Sequence, residues 1–399
     1  MKIIERTQYI ERIKRLRGTP DIKIITGMRR AGKSELLNEY SSYLNTVNSS
    51  INIIKIDFND LLFNSLKEYM KLFEYVESKY VNGVENVLII DEVQLCNKFE
   101  LAINSFHNSK KYDIYITGSN AFLLSSDLTT LFTGRFIEIS IFPFSFAEYC
   151  KYFELKDEYN KHLEKYLLEG GLAGAYLYKY EEDSRKYISD IYNTLLKRDL
   201  VDKYRISEIA LLDSISEFLM DNISNLTTTN NISNILKSNK INSNHITIGN
   251  YIKHLCNAFM FYKVKRYDVK GKKYLETNSK YYLCDLSLRY SILGLRNMDY
   301  GRAYENIVAI ELMRRGYEIY VGKLYQKEID FVAIKNNKKI YIQVADNISS
   351  DETLDRELLP LKMIKDSYPK FLLANTNHNT YDIDGIKIVD ISKWLMDNE

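Results

Sequence analysis

Between residues 21 and 145, short apolar runs alternate with stretches of helical period. Residues 22–26, 51–58, 87–90, Asp113–Thr117 and Phe136–Ile141 read as strands, with helices between them. Val87-Leu88-Ile89-Ile90 is apolar without alternation, the pattern of a strand buried on both faces. Such alternation predicts an α/β fold, a parallel sheet with helices on both sides. Ligands of such sheets bind beyond the strands' carboxyl ends. Further on, residues 146–155, 162–168 and 183–198 have helical period, broken by Gly-Gly-Leu-Ala-Gly at 170–174. Residues 208–220, 228–237 and 246–259 predict three more helices, the last entered through the cap-forming Ser243-Asn244-His245. Residues 261–267 and 273–277 then predict two strands around Lys270-Gly271-Lys272. Three helices and a hairpin predict a winged helix. Residues 301–315 predict a helix, 328–334 and 340–345 strands, then a helical stretch with Arg356-Glu357 and a strand at 371–373. The expected organisation is an α/β core at 1–145, a helical segment at 146–205 and a winged helix at 206–280. A connector at 281–300 then leads to an α/β domain at 301–399.

Chemistry concentrates at the carboxyl ends of the first strands. Gly27-Met28-Arg29-Arg30-Ala31-Gly32-Lys33-Ser34 fits G-x-x-x-x-G-K-[ST], and it stands between a predicted strand and a predicted helix. Glycines let backbone N–H groups turn toward phosphate oxygens, and the helix N-terminus adds positive dipole. The expected nucleotide contacts are Gly27, Arg30, Ala31, Gly32, Lys33, Ser34 and Glu35. Lys33 would reach the β- and γ-phosphates, and the Ser34 hydroxyl would ligate Mg²⁺. Asp91, ending the 87–90 strand, is the second expected Mg²⁺ ligand, and Glu92 the group that polarises the attacking water. Ser119 and Asn120 follow the next strand and are expected at the γ-phosphate or the water. Arg135 is a candidate for stabilising transition-state charge, in its own subunit or a neighbour's.

Composition narrows the setting without changing this reading. The 399-residue chain is 45% hydrophobic and 27% charged with a net charge of +2, so no global field demands nucleic acid or membrane. Cys96, Cys150, Cys256 and Cys284 form no CxxC pair and read as reduced thiols of a cytoplasmic protein. The charged N-terminus does not read as a secretory signal, and no long apolar run spans a membrane. One local excess stands out: residues 237–280 carry ten Lys and Arg against Asp268 and Glu276. A basic helix-turn-helix is the footprint of a DNA reader, and equally of a protein–protein module.

Several segments together resemble a prokaryotic AAA+ family of P-loop ATPases. They are Thr-Gly-Met-Arg-Arg-Ala-Gly-Lys-Ser at the phosphate loop, Ile-Ile-Asp-Glu-Val-Gln at 89–94, Ile-Thr-Gly-Ser-Asn at 116–120, and Thr-Gly-Arg-Phe-Ile-Glu-Ile followed by Pro-Phe-Ser-Phe-Ala-Glu-Tyr at 143–149. Gly170-Gly171 and Lys197-Arg198-Asp199 extend the likeness. The resemblance implies the roles given above to Lys33, Ser34, Asp91, Glu92, Ser119 or Asn120, and Arg135. It also implies that residues 1–145 are the nucleotide-binding core and that the helices at 146–205 are a lid over the nucleotide, with Arg198 a candidate lid arginine and Gly170-Gly171 a lid hinge or an inter-helix turn. The resemblance also implies a C-terminal domain like restriction endonucleases. There the predicted α–β–β–α–β order resembles the PD-(D/E)xK nuclease core. Glu305 and Asp330 match its acids, whereas Gln343-Val344-Ala345 stands where E-x-K is expected. A neutral Gln343 weakens metal binding, and Ala345 supplies no lysine, although Lys335, Lys338 and Lys339 lie nearby.

The sequence therefore predicts an ATP- and Mg²⁺-dependent ATPase whose cycle acts on a DNA- or protein-binding winged helix and an inactive nuclease-like domain, as a monomer or an oligomer. An ATP-dependent nuclease and a nucleotide-gated switch with little turnover are the alternatives.

Overall fold

The computed structural model describes the chain except residues 1–3, 49, 119–131, 133, 239–240, 242–243, 296–298 and 398–399, and the side chains of Arg198, Glu276 and Thr277. It divides into two compact units, residues 3–141 and 142–399.

In the first unit, α1 (Thr7–Leu16) leads to β1 (Ile22–Gly27), α2 (Lys33–Val47), β2 (Asn52–Asp57), α3 (Tyr69–Ser78), β3 (Asn86–Asp91), α4 (Phe99–Ser109), β4 (Asp113–Thr117) and β5 (Phe136–Ile141). The strands form one parallel sheet in the order β2-β3-β4-β1-β5. β1 and β3 are buried along their whole length; the unbroken apolar run 87–90 requires this of β3, and Ile22, Ile24 and Ile25 favour it in β1. One core includes Ile24, Leu88, Ile90 and Ile116, and another Ile25, Leu37, Val87 and Ile139. Lys23 is the charged residue of β1. Its ammonium, fully buried, pairs with Asp113 at 2.5 Å, and Asp113 also accepts from the Gly18 amide and the Tyr115 hydroxyl. The buried charge is thus neutralised and hydrogen-bonded.

The second unit begins with α5 (Phe146–Phe153), α6 (Tyr159–Glu169) and α7 (Glu181–Thr194), which continues as a π-helical turn over Leu195–Val201. Next come α8 (Ile209–Asp221), α9 (Thr229–Ser238), α10 (His245–Asn257), β6 (Phe261–Asp268), β7 (Lys273–Leu283), α11 (Leu286–Leu293) and α12 (Tyr300–Arg314). The chain closes with β8 (Glu318–Leu324), β9 (Lys327–Lys335), β10 (Lys338–Ala345), α13 (Asp351–Lys362), β11 (Lys370–Ala374), β12 (Tyr381–Ile383), β13 (Ile386–Asp390) and α14 (Ile391–Met396). Its mixed sheet runs β12-β13-β11-β10-β9-β8-β6-β7.

This organisation departs from the sequence reading at five points. The three helices of the expected winged helix form, with Asn244 capping α10 through the Thr247 amide. The hairpin, however, is no free wing: β6 pairs in parallel with β8, so β6 and β7 are the edge of the C-terminal sheet. Residues 281–300 are not simply a connector, because β7 runs to Leu283 and α11 starts on the Asp285 cap. Residues 146–205 belong with the C-terminal unit rather than standing as a lid: the Gly171 amide donates to Asp285 at 2.6 Å, and Asn160 donates to Asp390 at 3.2 Å. Gly170-Gly171 is a close-packed turn, not a hinge. A Cβ on Gly170 would lie 1.9 Å from Asp285 Oδ1, and one on Gly171 2.2 Å from the Phe144 carbonyl. Finally, a strand missing from the predicted α–β–β–α–β order, β8, lies between α12 and β9. Gly322 interrupts its pattern, for a Cβ there would sit 2.9 Å from that of Ile329.

Candidate functional site

The phosphate loop leaves the carboxyl end of β1, and α2 begins at Lys33. Two glycines make the turn possible. Gly27 has φ +141°, and a Cβ there would meet the Ile141 carbonyl oxygen at 2.1 Å; Gly32 has φ +96°. Arg30 adopts φ +67° without that freedom. Lys33 is buried, and its ammonium donates to the carbonyls of Gly27 at 3.0 Å and Met28 at 3.1 Å, folding back over the loop it would open to phosphate. Ser34 and Glu35 open the first turn of α2, where Glu35 is exposed.

β3 brings Asp91 to the same edge. Burial raises its carboxyl above the usual range, against hydrogen bonds from the hydroxyls of Ser34 and Thr117. A hydroxyl and a carboxylate side by side are a donor set suited to Mg²⁺, which also keeps phosphate and water ligands. Among the described residues, no group of three or more His, Cys, Asp or Glu side chains is arranged to hold a metal by itself. Glu92 turns off the strand at φ +54°. Its amide donates to Thr117 Oγ at 3.0 Å and its carboxylate accepts from the Gln94 amide group.

Two residues of this site escaped the sequence reading. Thr117, fully buried at the end of β4, serves both acids: its hydroxyl donates to Asp91 and accepts from the Glu92 amide. Arg6, ahead of α1, donates to the Ala31 carbonyl at 2.8 Å, with its guanidinium 4.6 Å from the centre of the Tyr9 ring. The position of Thr117 at a strand end beside Asp91-Glu92 was readable; the approach of Arg6 across 25 residues carried no sequence signal. Ser119 and Asn120 lie outside the described residues.

Arg135 stands elsewhere. The register pairs Ile22 with Phe136 and Gly27 with Ile141, so Arg135 precedes the opposite edge of the sheet. It is roughly 17 Å from the phosphate loop along the strands. There its guanidinium donates to Asn108 at 2.9 Å. An action of Arg135 on the phosphates of its own subunit is thereby corrected.

The second unit gathers the expected nuclease-like residues around a cation the sequence did not suggest. Lys280 of β7, 3% exposed, places its ammonium 2.8 Å from Glu305, 2.7 Å from Glu328 and 3.7 Å from Asp330. The Tyr282 hydroxyl donates to Glu305 at 2.6 Å, and the Val344 amide to Asp330 at 2.9 Å. Gln343 accepts from the Asp330 amide at 3.3 Å and donates to Glu357 at 3.0 Å. Burial raises the carboxyls of Glu305 and Asp330. Burial also works against the charge on Lys280, but Glu305, Asp330 and Glu328 outweigh it and hold the ammonium protonated. Lys335 instead donates to the Arg315 carbonyl at 2.6 Å, and Lys339 to the Tyr267 hydroxyl at 3.4 Å.

Known proteins resemble this chain at the level of the domain. Residues 19–150 match the family described as an AAA domain, and residues 160–299 match a domain of unknown function, DUF8612. A protein of Haemophilus influenzae described as uncharacterized is 36% identical over 402 residues, 99% of each chain. The uncharacterized protein MJ1544 of Methanocaldococcus jannaschii is 26% identical over 99% of this chain and 93% of its own. Among solved structures, the Walker-type ATPase PABY2304 of Pyrococcus abyssi is 16% identical with a TM-score of 0.48, covering 72% of this chain and 95% of that one. Among the described residues, no helix is long and apolar enough to cross a membrane.

Proposed function

We propose that this chain, which belongs to one family with the Haemophilus influenzae protein and carries an AAA domain at residues 19–150, is a Mg²⁺-dependent ATPase that couples hydrolysis to binding by its C-terminal unit. The observation that carries the reading is the meeting of four groups at one sheet edge: Lys33, Ser34, Asp91 and Glu92. On ATP binding, Lys33 exchanges the carbonyls of Gly27 and Met28 for phosphate oxygens. The loop amides and the N-terminus of α2 face the same charge. Ser34 and Asp91 would hold Mg²⁺, which would supply positive charge against that developing on the phosphates. Thr117 keeps Asp91 and the backbone of Glu92 in fixed relation, and Glu92 orients and deprotonates the attacking water. Fluorescent ATP analogues test the binding step. The wild type is expected to bind and Lys33→Ala to lose affinity at least tenfold; equal affinity would remove the assignment.

Arg135, away from its own phosphate loop, can serve catalysis only from a neighbouring subunit. Mixing gives the check. Arg135→Ala and Lys33→Ala, each inactive alone, are expected to recover part of the turnover when combined, because the mixed interface pairs an intact loop with an intact arginine. No recovery at any ratio would exclude that role.

The C-terminal unit is read as a nuclease-like fold that does not cut. Gln343 and Ala345 replace the metal-binding acid and the lysine, and Lys280 supplies a fixed cation among Glu305, Glu328 and Asp330. What the unit binds, DNA or protein, decides what the ATPase cycle controls.

A further inference from the structure

The end of the C-terminal sheet carries tyrosine rings among lysines. Tyr267 of β6 and Tyr274 of β7 are direct cross-strand partners, their ring centres 5.5 Å apart. Tyr320 of β8 lies 4.9 Å from Tyr274 and 6.1 Å from Tyr267. Two rings are open to solvent: Tyr274 is 57% exposed, and Tyr325, in the turn after β8, is 54% exposed, whereas Tyr267 is buried. Cations flank the rings. The ammonium of Lys339 is 4.9 Å from the centre of Tyr267, and that of Lys270 is 4.6 Å from the centre of Tyr325. Over residues 263–273 six cations face one acid, Asp268, and its carboxylate is engaged by the Gly271 amide in the hairpin turn. On the other side Glu318 accepts from the Tyr320 hydroxyl at 3.4 Å.

We infer that this tyrosine–lysine face binds single-stranded nucleic acid. Exposed rings cost free energy in water and offer flat faces on which unpaired bases stack, while the neighbouring ammoniums meet the phosphates. A duplex hides its base faces and gains only the phosphate contacts. An acidic peptide gains the charge but has nothing to lay on Tyr274 and Tyr325. This assigns the basic stretch a different use from a winged helix: its hairpin is a sheet edge, so recognition lies on the strands and their turns. The inference rests on the proposed function only in making this surface the partner site of the ATPase; the binding itself needs no nucleotide.

The test is fluorescence anisotropy of a labelled oligothymidylate of about twenty nucleotides with the full chain, without ATP. Tyr274→Ala and Tyr325→Ala are each expected to weaken binding about fivefold or more, and Tyr274→Phe to retain it, which separates lost stacking from misfolding. Lys270→Gln with Lys272→Gln is expected to weaken binding and flatten its salt dependence. Affinity unchanged in both alanine variants overturns the proposal, as does a duplex or polyglutamate competing as well as the oligonucleotide. Lys33→Ala is expected to bind the oligonucleotide as the wild type does. Binding with no ATP hydrolysis would therefore sink the ATPase reading alone, and hydrolysis with no binding would sink this one alone.

Discussion

Glu92→Gln is expected to keep ATP affinity within about twofold of the wild type and to lower turnover by about a hundredfold or more. The substitution preserves size and the capacity to accept from Gln94, and the backbone amide that reaches Thr117 is untouched. It removes only the ability to take a proton from water. The expected change is therefore in kcat, with KM falling or constant. Asp91→Asn differs, because Asp91 belongs to the Mg²⁺ donor set and touches Ser34. It is expected to weaken binding of the Mg²⁺–nucleotide as well as turnover. Steady-state phosphate release and nucleotide titration on both variants separate the two roles. If Glu92→Gln turns over like the wild type, Glu92 is not the base, and the sharp turn at φ +54° has another use.

Lys280→Met should give the largest loss of stability. It leaves the buried Glu305 and Asp330, with the half-buried Glu328 beside them, facing one another without their counter-ion. Breaking such a buried pairing costs about 3–5 kcal/mol. The dependence on pH has a definite sign. Burial already raises the carboxyls of Glu305 and Asp330, and Lys280 opposes that rise for both. Without the ammonium they rise further. A carboxyl that binds its proton more tightly when folded favours the folded state at pH below its unfolded value, and that advantage is lost as pH rises through the folded value. The variant should thus be weakest at neutral pH and recover toward the wild type as the solution is acidified. The chain's one tryptophan, Trp394 in α14, reports this unit in denaturant titrations at two pH values. A variant as stable as the wild type at neutral pH, or one that weakens on acidification, would contradict the ammonium's place among the carboxylates.

The first unit was largely legible because its chemistry is local. The loop 27–34 and the pair Asp91-Glu92 each lie within a few residues at the end of a strand whose apolar residues mark both the strand and its terminus. What was not legible depends on chain approach. Arg6 meets Ala31, and Thr117 meets Asp91, only after the sheet has formed. Arg135 sits beside a motif in sequence, yet parallel register carries it to the wrong edge for its own phosphate loop. In the second unit, the helices 208–220 and 246–259 were readable from period and capping. The fate of the hairpin was not, since β6 pairs with β8 across more than fifty residues. Lys280 read as one of ten cations in a basic stretch. Only the packing of β7 against α12 makes it the partner of Glu305.

A hydrolytic ATP site at the carboxyl end of the first sheet stands or falls on phosphate release from ATP by the full chain. Wild type is measured with and without Mg²⁺ beside Lys33→Ala. Release is expected to require Mg²⁺ and to fall to background in the variant. Release that is absent in the wild type, or equal in the two proteins, would contradict it.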